Sequence, residues 1–375
     1  MTPVLVAHCR AGFEPEAATD LRMLATSAGT DVEVASFAGF VVATPRAFDA
    51  QHWRRALDRA SSVFIRSLFF GTGPHALFDA SRVKGRPDRV APLTAFIDAF
   101  RTEVDVPGYP RPARASLSFA EIRLETPDTN DGKELSGLCR ALLPRLTAEL
   151  DTRGALSSGE SDTRAPRPRL HVLFIDGAHV YVGASLPPWG SPWPMGIPRL
   201  RMPRAAPSRS ALKLAEAFVT FLGENELDLL HAGMRAVDLG AAPGGWSWQL
   251  AYRGLRVTAV DNGPLKGAIA DDPLVTHLRA DGLTFVPRRP VDWMVCDIVL
   301  QPARIAELVG RWIADGHARR SIFNLKLPMK RRYDEVQRCR EIIGEAVDRA
   351  HASHTLQLRH LYHDREEVTG YIARK

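Results

Sequence analysis

The run Val237-Asp-Leu-Gly-Ala-Ala-Pro-Gly-Gly-Trp246 narrows the possible folds of this chain more than any other stretch. It holds the end of an apolar strand, a glycine-rich turn and the first turn of a helix within ten residues. Asp238 falls where a parallel strand leaves its sheet, and Gly240, Gly244 and Gly245 let the backbone come close to a ligand at the carboxyl edge. Pro243 stiffens the turn ahead of a helix that starts near Trp246. The spacing is not G-x-G-x-x-G, and no Lys-Ser or Lys-Thr follows the glycines, so a dinucleotide fingerprint and a phosphate loop both fit poorly. An ordinary turn seldom needs three glycines and a proline, and the stretch predicts a cradle for some other ligand.

The residues around the cradle alternate as a doubly wound α/β sheet requires. Helices are predicted over 211–222, 246–253, 303–314 and 333–350, and strands over 235–239, 256–261, 275–279, 293–299 and 321–327. A hairpin of 355–361 and 368–373 closes the chain. In such a sheet the ligand lies beyond the carboxyl ends of the strands. The opening residues have a different rhythm: 2–8, 32–37, 40–44 and 63–70 read as strands and 15–28 and 48–60 as helices, the βαββαβ order of a ferredoxin-like unit. From 71 to 186, helices at 93–100 and 133–151, a strand at 116–125 and a hairpin of 170–175 and 180–185 form a second α+β region. The polar stretch 154–169 within it reads as a mobile loop, and 187–207, rich in Pro, Trp and Arg, as an extended linker. The expected domains are therefore 1–70, 71–186, the linker 187–207, and 208–375.

Charge divides the chain more sharply than hydrophobicity does. Residues 1–163 carry 19 Lys+Arg against 21 Asp+Glu, 164–213 carry 8 against 1, and 214–375 carry 22 against 21. The net charge of +6 thus sits in one segment between two nearly neutral parts, which suits a polyanionic partner. A solvated linker with scattered arginines is the competing reading. Trp189 and Trp193 precede Arg199, Arg201, Arg204 and Arg209; stacking on unpaired bases is one use for the indoles, and pinning the connector to a domain is the simpler one. Arg82-Val-Lys-Gly-Arg86 with Arg89 reads either as a second basic contact or as an exposed loop. Cys9, Cys139, Cys296 and Cys339 have neither metal nor disulfide spacing, which fits a reducing, cytoplasmic setting. No run of about 18 apolar residues is present to cross a bilayer, and the apolar patch at 3–7 is too short for a signal peptide. Neither a membrane partner nor a metal is expected, and nothing sets the oligomeric state beyond a default monomer.

Four charged residues recur at strand ends facing one rim: Lys213, Asp297, Lys326 and Glu367. Three of them are unremarkable as single surface charges. Lys326 is not, because it interrupts the apolar run Phe323-Asn-Leu-Lys-Leu-Pro328, where a lysine is costly unless paired or functional. His363-Asp364 lacks the companions of a triad or a metal site, and Cys296 reads as a small buried strand residue.

The run D-L-G-x-x-P-G-G-W resembles the S-adenosylmethionine loop of FtsJ-type RNA ribose methyltransferases. Lys213, Asp297, Lys326 and Glu367 match that family's Lys-Asp-Lys-Glu tetrad in type and chain order. Pro207-Ser-Arg-Ser-Ala-Leu-Lys-Leu214, Val260-Asp-Asn-Gly-Pro264, Trp293-Met-Val-Cys-Asp297, Phe323-Asn-Leu-Lys-Leu-Pro-Met-Lys330 and Leu361-Tyr-His-Asp-Arg-Glu-Glu-Val368 are similar to the RlmM (YgdE) branch of these enzymes. The resemblance implies a Rossmann-like class I methyltransferase sheet with a terminal antiparallel hairpin, preceded by ferredoxin-like and RNA-binding THUMP domains. It implies S-adenosyl-L-methionine as the cofactor, without metal, and 23S rRNA as the partner, methylated on the 2′-hydroxyl of cytidine 2498 in the peptidyl-transferase region. It makes Ser210, Ala242, Pro243, Gly244, Gly245, Asp261, Asp281 and Asp297 the cofactor residues. Asp261, about 20 residues past the glycines, suits the ribose hydroxyls. Asp281 suits the adenine amino group, and Ser210 reads as a contact to the methionine part or as a helix N-cap. Ala242 departs from the cysteine of RlmM members, although FtsJ itself has alanine there.

A ribose hydroxyl is a very weak acid, so its methylation needs near-attack geometry and a proton acceptor. Lys326 is the expected general base, its pKa lowered by burial and by Lys213, with Asp297 orienting the ammonium and Glu367 positioning Lys213 or the substrate. Glu367 is preferred to Glu366 because it directly precedes the closing strand. The competing functions are methylation of tRNA or mRNA, and a non-catalytic RNA-binding role in ribosome assembly. Replacing Arg199, Arg201 and Arg204 by glutamine is expected to weaken RNA binding and flatten its salt dependence, with cofactor affinity unchanged; a wild-type salt slope would return those arginines to an ordinary solvated linker.

Overall fold

The computed structural model describes residues 1–79, 81–82, 85–109, 116–156, 167–187 and 189–375, and the chain divides into two compact units, Met1–Ile197 and Pro198–Lys375. Most of the loop expected at 154–169, and Val83 and Lys84 of the basic cluster, lie outside the described residues.

In the first unit the elements are β1 (Val4–His8), α1 (Glu14–Ser27), β2 (Val32–Phe37), β3 (Phe40–Pro45), α2 (Ala50–Arg59), β4 (Ser67–Ala76), α3 (Val90–Glu103), β5 (Glu121–Glu125), α4 (Asn130–Thr152), β6 (Arg169–Phe174) and β7 (His179–Ser185). The strands form one sheet in the order β2-β3-β1-β4-β7-β6-β5, antiparallel throughout except between β5 and β6. The strands of the first 70 residues and the β6–β7 hairpin therefore share a sheet through β4 and β7. β4 runs six residues past its expected end at 70, through a Gly-Thr-Gly-Pro run that reads as a turn in sequence. The backbones of Gly71 and Gly183 meet too closely for a side chain on either, and a bulge between Thr72 and His75 accommodates the proline.

β5 also holds the connector. Arg123 donates to the carbonyls of Ser191 and Pro192, both at 2.8 Å, and Glu125 Oε1 accepts from the Met195 amide at 2.6 Å. Trp189 packs against the core of this unit and meets Phe70 edge-on at 5.5 Å, so it pins the connector.

The second unit contains α5 (Ser210–Phe221), α6 (Glu226–Leu229), β8 (Arg235–Leu239), α7 (Gly245–Tyr252), β9 (Arg256–Val260), β10 (Val275–Leu278), β11 (Val291–Cys296), α8 (Pro302–Ala314), β12 (Ala318–Lys326), α9 (Arg332–Arg349), β13 (His354–Arg359) and β14 (Glu367–Arg374). Its sheet runs β10-β9-β8-β11-β12-β14-β13, with the first five strands parallel and β14 antiparallel to both its neighbours. The chain moves outward from β8 to β10 and then returns to β11 on the other side of β8, leaving a crevice at the carboxyl ends of β8 and β11.

Leu214 and Phe218 of α5 and Trp246 and Leu250 of α7 are fully or almost fully buried with Ala236, Val257 and Trp293 of the sheet. Each large side chain so buried contributes about 1.5–3 kcal/mol. Apolar residues at three- and four-residue spacing, Ile305, Val309 and Trp312 on α8 and Val336, Cys339, Ile343 and Val347 on α9, form the buried faces of the next two helices. Nearer the rim, Gly370 lies opposite Phe323, and a Cβ there would collide with the tip of the phenyl ring. Gly370→Ala is expected to cost about 2 kcal/mol by overpacking, or roughly 4–8 °C in Tm, measured by thermal unfolding. An unchanged Tm would show that the ring moves aside freely.

Candidate active site

The cradle is shaped by close backbone approach. Gly240 (φ 78°) lies under Ile298, and Gly244 (φ 111°) caps α7 in a conformation that side-chain-bearing residues rarely adopt. A Cβ on Gly245 would collide with the hydroxyls of Ser208 and Ser210. Ser210 is the first residue of α5 and does not cap it. Its hydroxyl instead pairs with Ser208 Oγ at 2.6 Å, and its carbonyl accepts from Trp246 Nε1 at 3.0 Å. The carboxylate of Asp261 is fixed to the loops on both sides: Oδ2 accepts from the Ala242 amide at 3.0 Å and Oδ1 from the Gly263 amide at 2.7 Å. Asp281 is exposed and accepts from the Leu283 amide at 2.9 Å. Pro243 lies between Ala242 and Gly244 in the same turn.

The four charged residues expected at one rim do meet. Lys326 and Glu367 are register partners across β12 and β14, and their side chains pair directly. Lys326 Nζ also donates to Asp297 Oδ1 at 2.6 Å, and Asp297 is the first residue beyond β11. Lys213, on α5, pairs with the other oxygen of Glu367 and lies 3.9 Å from Asp297 Oδ2. The result is a closed ring of alternating charge, with Glu367 between the two ammonium groups. Lys326 ends its strand, where the sequence pattern put it inside an apolar strand. Glu366 points elsewhere and pairs with Arg332 at 2.8 Å.

This ring reverses the expected electrostatics of Lys326. Burial does press its pKa down, but the Asp297 and Glu367 carboxylates outweigh burial and hold it above the usual lysine value. Burial likewise pushes Glu367 up, and the two ammonium groups more than reverse it, leaving its carboxyl below the ordinary range. Lys213 does not act on Lys326 as a bare second cation, because Glu367 neutralises it. Lys326 therefore rests as an ammonium.

A charge ring beside a glycine cradle at the crevice of a mostly parallel sheet is a place for group transfer to a polar acceptor. Sequence comparison identifies the family to which the chain belongs. The profile described as "Ribosomal RNA large subunit methyltransferase M, N-terminal" matches residues 88–186, and that of "FtsJ-like methyltransferase" matches 206–319. "Ribosomal RNA large subunit methyltransferase M" of Azoarcus sp. (strain BH72) is 45% identical over 99% of this chain and 96% of its own length. The protein of the same name from Aromatoleum aromaticum is 47% identical over 98% and 94%. The chain belongs to the ribosomal RNA large subunit methyltransferase M family. It is thus an S-adenosylmethionine-dependent methyltransferase. Among solved structures, TrmN from Thermus thermophilus aligns over 100% of this chain and 99% of its own at 16% identity, with a TM-score of 0.33, a likeness too slight to inform the chemistry of the site.

Within this family member, several residues that the sequence did not single out support the ring. Asn324 donates to Asp297 Oδ1 at 3.0 Å, and Thr369 Oγ1 lies 2.8 Å from Asn324 Oδ1 and 2.9 Å from buried Asp364. Glu216, one helical turn after Lys213, accepts from the amides of Tyr362 and His363 at 2.7 and 2.8 Å and pairs with the His363 ring at 2.6 Å. The signal for Asn324 and Thr369 is polarity at alternate strand positions next to Lys326 and Glu367. His363 and Asp364 are thus structural partners, and no metal-holding cluster occurs among the described residues. Burial raises the Cys296 thiol to about 12, so it is no nucleophile at neutral pH.

Asp238 is the other residue that sequence placed without a role. It is fully buried, its Oδ2 accepts from Ser247 at 2.7 Å, and its Oδ1 has no partner. Burial, with the charges of Asp297 and Asp261, raises its pKa to about 7. The folded state therefore keeps a proton that the unfolded chain releases near pH 4, so stability falls as pH rises from about 4 to about 7. Asp238→Asn is expected to remove that part of the slope, read by denaturant unfolding at about pH 4.5 and about pH 7.5. Parallel pH dependence in both proteins would place the proton elsewhere.

Proposed function

We propose that this enzyme methylates large-subunit ribosomal RNA on a ribose 2′-hydroxyl, at cytidine 2498 of 23S rRNA, with Lys326 as the proton acceptor. The observation that carries the reading is the ring of Lys213, Glu367, Lys326 and Asp297 beside a glycine cradle, in a chain whose full-length relatives are named for this RNA. The likeness to the RlmM branch supports residues 1–70 as a ferredoxin-like domain, 71–186 as a THUMP-like RNA-binding domain, 187–207 as a linker and 208–375 as the methyltransferase domain. It also supports a cytoplasmic setting; no helix among the described residues is long and apolar enough to cross a membrane.

The cradle fits S-adenosylmethionine. Gly244 and Gly245 leave no room for a Cβ, Asp261 keeps a second lone pair on each oxygen for vicinal hydroxyls, and Asp238 Oδ1 is buried without a partner. Ser210, Ala242, Pro243, Gly244 and Gly245 would hold the methionine end, Asp261 the ribose and Asp281 the adenine amino group, with Asp297 between cofactor and ring. When bound, the cofactor supplies an electrophilic methyl group on a cationic sulfur.

Lys326 takes the 2′-hydroxyl proton only after losing its own to solvent, because two carboxylates hold it as an ammonium. The same carboxylates then accept hydrogen bonds from the ammonium that proton transfer forms. Lys213 keeps Glu367 ionised and so preserves that acceptor. The rate should therefore rise with pH through the alkaline range, and Asp297→Asn, which removes one raising charge, should move this limb to lower pH.

Lys326→Ala should lower methyl transfer by about 100-fold or more, with S-adenosylmethionine affinity within about threefold of wild type by calorimetry. Full turnover in that variant would remove the general-base role. Mapping 2′-O-methyl marks across ribosomal RNA from cells with and without the protein tests the substrate, and an unchanged map would refute it.

A further inference from the structure

We propose that a groove over β8, β9 and β10 is a second RNA-binding surface, which takes the phosphates of a segment away from the target nucleotide. The proposal rests on the reading of the chain as an RNA methyltransferase. Parallel strands are ordinarily covered on both faces by their crossover helices. Here the crossover from β10 to β11, residues 279–290, carries no helix, and that from β9 to β10 carries only a short 3-10 turn, Gly267–Asp271. The space left is a groove of about 930 Å³ floored by residues that include Val237, Thr258 and Leu278.

The charged residues that line it are of one sign, with the carboxylates of Asp292 and Asp272 at its edge, where they accept from the Arg235 and Leu274 amides at 2.9 Å. Of the sixteen residues that line it, four are arginines, Arg235, Arg256, Arg288 and Arg289, and none is acidic. All four are exposed, and no carboxylate pairs with the guanidinium of any of them among the described residues. Arg235 is held in place by donating to the Pro290 carbonyl at 2.9 Å. Guanidinium forks match phosphate oxygens, and the apolar floor, where Leu278 is 38% and Val286 55% exposed, suits ribose and base faces. An acidic protein segment would meet the same arginines, but RNA is the polyanion that this enzyme engages in any case. Arg235 and Arg256 begin their strands, whereas Lys326 ends its own, so these two arginines and the charge ring lie toward opposite ends of a sheet whose five-residue strands span about 17 Å. An RNA in the groove would thus be gripped well outside the target nucleotide.

The test is the double variant Arg288→Gln and Arg289→Gln in the full chain, with binding to a 23S rRNA transcript measured across a salt series. Loss of two phosphate contacts should flatten the dependence of log affinity on log salt by about 1.4 and weaken binding about tenfold, while S-adenosylmethionine affinity stays unchanged. Wild-type affinity and salt slope in the variant would overturn the inference and leave the function reading intact, with the groove then open to a protein partner. A wild-type chain that binds no RNA would overturn both.

Discussion

The charged rim depends on the register of β12 against β14. That register puts Lys326 opposite Glu367, and because side chains alternate across a sheet, a slip of one residue would present Glu366 and turn Glu367 away. The native register instead sends Glu366 to Arg332 and leaves Glu367 to both lysines. Glu367 is the pivot of the ring: its side chain is 6% exposed, and each of its oxygens faces one ammonium. Removing it would leave two partly buried cations without their shared anion, the kind of loss that costs about 3–5 kcal/mol.

A register fixes strands but not side chains, and the chain spends further buried polar groups to aim the ring. Asn324 and Thr369 face each other in the same ladder and connect Asp297 to Asp364. Asp364, its carboxyl raised well above the ordinary range by burial and by Glu367, accepts from the Leu361 amide at 3.0 Å. Glu216 takes the next two amides, so the loop between β13 and β14 is tied down by two carboxylates. The loop that leads into Glu367 is thereby anchored to α5, the helix that also supplies Lys213. One helix sets the position of one lysine and of the carboxylate that it meets.

Much of this rim was legible in the sequence because it sits at the ends of apolar strands, where a charged residue stands out. β8 was readable to the residue, and the glycine turn after it carried its own signature. Less legible were features that depend on a partner distant in the chain. β4 was cut short because Gly71 to Pro74 reads as a turn until β7 is placed beside it with its own glycine. A helix cap stayed open as one of two readings of Ser210 because sequence does not show that the helix starts on it. The direction of the Lys326 pKa was misjudged for the same reason: two lysines suggest mutual repulsion, and only the fold shows that Glu367, expected to position Lys213 or the substrate, pairs with both.

The charge sorting of the second unit arises from these placements. The chain carries a net charge of +6, yet Asp238, Asp261 and Asp297 all lie near the ends of adjacent strands around the glycine turn. Their mutual repulsion is large enough to contribute to holding Asp238 near neutrality in its protonated form. Lys326 and Lys213 are engaged by Glu367 and Asp297, so they offset the ring's own carboxylates and leave the charge of Asp261 uncompensated beside the protonated Asp238. Such an excess of buried and half-buried acid is unfavourable in the free protein and favourable to a cation entering the cradle.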